Sequence, residues 1–296
     1  MRWEDREESH NVEDRRGNSS GNMGGGGRGM PSMSTMLFIW PIIQRLLKTK
    51  FGWAIVGIGA VAYFSGFNPM SAISNGSSSN INKTKDEKEA RFIKTVLRDT
   101  EDVWKDIFKK HGATYREPIM VLYRGTTSSG CGHASSQMGP FYCPNDQKVY
   151  LDLAFFDELA TKHNATGDFA QAYVLAHEIG HHIQNMEGTL SKVQKMKQQA
   201  RGQKGENRLQ VRVELQADCY AGIWAHHAQK RFNILERGDI EEALQAASAI
   251  GDDTLQKEAQ GYVVPDAFTH GSSAQRIEWF KKGIKSGDIQ SCNTGI

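Results

Sequence analysis

Between Asp86 and Lys110 the apolar residues Phe92, Val96, Val103, Trp104, Ile107 and Phe108 recur at helical spacing, and Gly112 stops the pattern. Two short apolar runs, Ile119–Tyr123 and Lys148–Leu153, read as strands. Residues 125–146 between them form a Gly/Ser-rich stretch that reads as a long loop. Asp168, with Gln171 three residues on and Gly188 beyond, predicts a capped helix from Phe169 to about Met186. Further helices are expected over 208–231, from Asp239 with Glu242 as its capping partner, and from Ser272 towards Lys282. Helices dominate and the few strands come early, so the expected class is α+β, without internal repeats.

The pattern changes ahead of residue 86. The first 36 residues are polar and include the run 24–27 of four glycines, so they read as a disordered arm. An apolar block, residues 36–43, is broken by Pro41 and followed by Arg45, Lys48 and Lys50. Residues 51–67 carry no charge and, as a helix, would extend about 25 Å, the short end of what crosses a bilayer. A buried helix or a signal peptide ending near Ala60-Val61-Ala62 would explain the same composition, although about fifty residues in front argue against a cleaved signal. The basic residues precede the span and 68–82 hold no Lys or Arg, which orients the N-terminus to the cytoplasm. The expected organisation is an arm (1–36), an anchor (37–67), a linker (68–85) and a folded extracytoplasmic domain (86–296).

A formal charge of +2 from 36 basic and 34 acidic residues gives no electrostatic ground for a nucleic-acid partner. The four cysteines contain no C-x-x-C pair. An oxidising compartment would allow Cys131 and Cys143 to bond and stiffen the loop that holds them. Cys219 and Cys292 are left undecided.

The chemistry lies in His177-Glu178-Ile179-Gly180-His181. On a helix, residues four apart share a face, so two imidazoles at that spacing can hold one zinc ion. Glu178 falls beside such an ion, where a carboxylate can take a proton from water. His182 points about 100° away and is not counted as a ligand. A third ligand is sought in Glu214-Leu215-Gln216-Ala217-Asp218, where Glu214 and Asp218 again share a face. Glu214 is the first choice, with Asp218, His226 and His227 as rivals. Asp218 is otherwise an acceptor for a ligand imidazole N–H, and Ala217 and Ala221 keep that face thin. His270 is the first candidate to stabilise an oxyanion, ahead of Tyr220 and Tyr262, and Arg276 is expected to pair with a site carboxylate such as Asp218.

These segments resemble the gluzincin metallopeptidases, in which H-E-x-x-H is followed by E-x-x-A-D. Over nearly its full length the chain is similar to the bacterial neutral zinc metallopeptidase family of YpfJ type, through Arg2-Trp3, the run 11–16 (NVEDRR), the single apolar segment and the stretch 131–152. The resemblance implies a zincin-like domain, His177, His181 and Glu214 as zinc ligands, and Glu178 as catalytic acid and base. It also implies a peptide or protein substrate held along an edge strand, for which Lys148–Leu153 is the candidate. A single-pass protein of the bacterial inner membrane with a periplasmic domain is expected. Residues 189–207 read either as a flap over the cleft or as a plain surface excursion. The rival readings are a membrane-tethered scaffold that keeps zinc for stability, and a hydrolase of a non-peptide bond.

Overall fold

The computed structural model describes residues 1–17, 83–135, 138–162 and 165–296. Its elements, in chain order, are β1 (Val12–Asp14), α1 (Lys83–Lys110), β2 (Ile119–Tyr123), β3 (Thr126–Ser129), β4 (Gly132–Ser135), β5 (Phe141–Cys143) and β6 (Lys148–Asp152). Seven helices follow: α2 (Ala154–Lys162), α3 (Asp168–Met186), α4 (Thr189–Gln199), α5 (Gly202–Phe232), α6 (Asp239–Ala249), α7 (Asp252–Gln260) and α8 (Ser273–Ser286). The α+β class holds.

The sheet has the order β1-β2-β6-β5, with β1, β2 and β6 parallel and β5 antiparallel to β6. β6 is therefore an interior strand, buried over Val149–Asp152. This corrects the expectation that Lys148–Leu153 offers a free edge. Among the described residues the edges are β1 and β5, and β5 is the one that the Gly/Ser-rich composition of 125–146 concealed together with the β3–β4 hairpin. Cys143 at the end of β5 is disulfide-bonded to Cys131, as expected, and Cys219 on α5 is bonded to Cys292 near the C-terminus.

The arm expected to be disordered is part of the fold over residues 1–17. Met1 and Trp3 are buried, and Trp3 meets Phe92 of α1 edge-on with centroids 5.3 Å apart. Ser9 and Asn11 bond to the buried Glu101, Arg6 pairs with the buried Asp99, and Arg16 pairs with Asp86 at 2.6 Å. The arm's polar residues thus have polar partners waiting on α1, which composition alone does not show. Through β1 the arm also pairs with β2. The anchor (37–67) and its span (51–67) lie outside the described residues. Among the described residues no helix is long and apolar enough to cross a membrane. The linker boundary also moves, since α1 begins at Lys83.

Residues 189–207 are helical, as α4 and the first turns of α5, with Val193 buried. Two expected caps are replaced by contacts from elsewhere in the fold. α3 follows Gly167 and has no side-chain cap of its own; Glu242 of α6 accepts the Phe169 N–H instead. Asp168 faces the Met1 α-ammonium at 2.6 Å. The cap at Ser272, with Gln275, forms a complete capping box.

Candidate metal centre

α3 and α5 cross at Gly180. A Cβ there would stand 3.0 Å from the Ala217 backbone, so the missing side chain is what lets the two helices approach. The approach brings the His177–His181 face of α3 against the Glu214–Asp218 face of α5. Glu214 Oε2 lies 3.2 Å from His177 Nε2 and 3.3 Å from His181 Nε2. A tetrahedron with bonds of about 2.0–2.1 Å has edges of about 3.3 Å, so these separations suit three corners of a zinc site.

The far side of each imidazole fixes its tautomer. His177 Nδ1 donates to Asp218 Oδ1 at 2.8 Å, and His181 Nδ1 donates to Gln184 Oε1 at 2.8 Å. The Gln184 amide nitrogen is itself committed to Val213 O and Gln216 Oε1, which leaves its oxygen as the acceptor. Both Nε2 atoms then face Glu214. Two imidazoles and a carboxylate, each braced from behind, are a donor set that fits zinc once the imidazoles are deprotonated. His177, His181 and Glu214 could thus hold a metal ion.

Asp218 lies behind His177. It accepts from His177, from Tyr173 Oη at 2.5 Å, and from Arg276 through both Nε and a terminal nitrogen at 2.9 Å. Burial raises its pKa, but Arg276 and His177 overcome this and hold it at about 2. Burial likewise opposes a charge on His177, yet Asp218 outweighs it and sets that imidazole at about 9. The Glu178 carboxyl is raised by burial, against the pull of His181 and His177.

The centre opens into a cleft of about 1150 Å³ bordered by Phe141 and Tyr142 of β5, Val193 and Lys195 of α4, and His270. His270 is half exposed there. Asp252 holds its loop by accepting the N–H groups of Thr269, His270 and Gly271. The rival ligands are engaged elsewhere: His226 with Ile284 O and His227 with Gly287 O. Of the other oxyanion candidates, Tyr220 donates to Glu187, and Tyr262 is exposed away from the cleft lining.

Sequence reasoning missed Gln184, Asp252, Gln210 and Tyr142. Gln184 stands three residues after His181, and Gln210, which donates to Glu214 Oε1 at 2.6 Å, stands four before Glu214. Both are readable as helical neighbours. Asp252 and Tyr142 reach the centre only through tertiary contacts and leave no local signal. A second acidic group, Asp168, Asp239 and Glu242, is satisfied by the Met1 ammonium and the Phe169 N–H.

An H-E-x-x-H helix crossed by a second helix carrying an acidic ligand defines a metallopeptidase-type centre. The chain belongs to the family described as "Putative neutral zinc metallopeptidase", whose profile matches residues 1–295. It is 50% identical over 295 residues to "Uncharacterized protein YpfJ" of Escherichia coli (strain K12), covering 99% of this chain and 98% of that one. It is also 45% identical over 202 residues to "Uncharacterized protein Rv2575" of Mycobacterium tuberculosis (strain H37Rv), covering 65% of this chain and 66% of that protein. No solved structure matches.

Proposed function

We propose that the chain is a zinc-dependent endopeptidase in which His177, His181 and Glu214 hold the ion. The observation that carries this reading is the convergence of two Nε2 atoms and one carboxylate oxygen at tetrahedral spacing, with a second carboxylate, Glu178, beside them. When bound, zinc supplies a Lewis acid for the scissile carbonyl and lowers the pKa of water to about 7. Glu178 takes the proton of the attacking water and returns it to the leaving amine. A carboxyl raised by burial suits this two-way transfer better than an ordinary exposed glutamate. His270, steadied by Asp252, donates to the oxyanion. Asp218 and Arg276 keep His177 in its tautomer.

The substrate lies extended along β5, whose outer edge borders the cleft and would add main-chain hydrogen bonds without dictating sequence. Residues 51–67 are proposed to meet a membrane. The two disulfides support an extracytoplasmic, oxidising setting for the domain.

Metal analysis of purified Glu178→Gln, paired with a peptide-library digest, tests the reading. One zinc per chain is expected to remain while turnover falls about 10²–10⁴-fold. Retained zinc with no peptide cleaved by the wild type would favour the scaffold, and cleavage confined to glycan or ester substrates would favour the non-peptide hydrolase.

A further inference from the structure

Tyr142 is where the edge strand β5 meets the metal helix α3. Tyr142 and Glu178 border the same cleft. The Tyr142 hydroxyl lies 3.1 Å from His182 Nδ1 and 2.9 Å from Asn185 Nδ2, and its ring stands edge-on to His182 with centroids 5.4 Å apart. His182 Nε2 is 2.6 Å from the Arg116 carbonyl, which can only accept. The hydrogen therefore sits on Nε2 and the lone pair on Nδ1. It follows that the Tyr142 hydroxyl donates to His182 and accepts from Asn185. On the other side of the His182 ring Tyr115 packs with centroids 5.7 Å apart. Both nitrogens of this buried histidine are thus committed, neither of them to the metal centre.

β5 contributes three residues to the ladder, all paired with β6, and lies at the sheet's margin. Such a short strand is weakly held by its own pairing. The ladder sets its place in the sheet but not its distance from α3. A core that needed only volume here would take an apolar ring at less cost than a buried imidazole. Directed hydrogen bonds fix a separation and an angle that apolar contact leaves loose.

Building on the peptidase reading of the centre, we infer that His182 and Asn185 clamp Tyr142 and so set the gap between β5 and the metal helix into which an extended substrate fits. The three are positioning residues: Tyr142 aligns the substrate edge, and His182 and Asn185 act through Tyr142.

The test compares the full chain with Tyr142→Phe, His182→Phe and His182→Gln, measuring zinc content, kcat and KM on peptides, and amide exchange over residues 141–143. Tyr142→Phe and His182→Phe are expected to keep one zinc, to raise KM about three- to tenfold with a smaller change in kcat, and to speed exchange in β5. His182→Gln offers an oxygen to Tyr142 and an N–H to Arg116, and is expected to recover most of the wild-type KM. Wild-type KM and exchange in both Phe variants would overturn the clamp, as would zinc loss in His182→Phe or failure of His182→Gln to improve on His182→Phe. If the wild type cleaves no peptide, the peptidase reading fails separately, and unchanged β5 exchange in the Phe variants with zinc retained still decides against the clamp.

Discussion

One oxygen of Asp252 accepts three consecutive main-chain hydrogen bonds, and its other oxygen faces His270 Nδ1 at 3.3 Å. That bond is the largest influence raising the His270 pKa above its usual 6.5. The proton on His270 is therefore kept as pH rises past 6.5 and is lost only at the higher folded value. Asp252→Asn is expected to move the alkaline limb of kcat/KM to lower pH, which a pH–rate profile would reveal; an unmoved limb would remove His270 from the oxyanion role. At His177 the pKa of about 9 means that metal binding near pH 7 displaces a proton, so zinc affinity should rise with pH up to about 9. Calorimetry in buffers of different ionisation enthalpy would count the released proton. Arg276 and Asp218 are both buried, at 2% and 0% side-chain exposure. Arg276→Met leaves the carboxylate without its main partner and should cost about 3–5 kcal/mol in urea unfolding. The meeting of His177, His181 and Glu214, and of Asp218 with His177, was legible in sequence because spacing along a helix dictates which side chains share a face. Asp252 and Tyr142 were not, since a loop and a strand far apart in sequence carry them to the centre.

Among the elements, close helix packing decides the geometry. α5 and α8 touch through Gly222 and Gly283: a Cβ on Gly222 would stand 2.2 Å from Phe280 O, and one on Gly283 2.0 Å from Cys219 O. Gly283→Ala should therefore lower stability by about 1–3 kcal/mol in chemical denaturation. The Gly180 contact is milder and lies at the centre itself. Gly180→Ala should part α3 from α5 by tenths of an ångström and weaken zinc about tenfold while leaving the fold intact, as competition with a chelator would show. A variant with wild-type affinity would mean that the ligand helices adjust freely. The helices of the domain were readable from their period, and α8 from its cap. The caps proposed for α3 and α6 were not what forms, because Glu242 serves another helix and Asp168 meets the Met1 ammonium. The edge strand escaped notice because its three residues are too few to show alternation.

At the scale of the molecule, the opening of the polypeptide and its last two hundred residues build one sheet, through β1 and β2. Main-chain bonds cannot form across a hydrocarbon layer about 30 Å thick. The pairing predicts that both sections occupy a single aqueous compartment, whereas one crossing at 51–67 would separate them. An impermeant maleimide should then label Glu7→Cys and Lys281→Cys from the same face of intact cells or spheroplasts; labelling from opposite faces would refute the shared sheet. Because β1 is paired with β2, cleavage within 18–82 should release no piece: the first seventeen residues should travel with residues 83–296 through native gel filtration and separate only in denaturant.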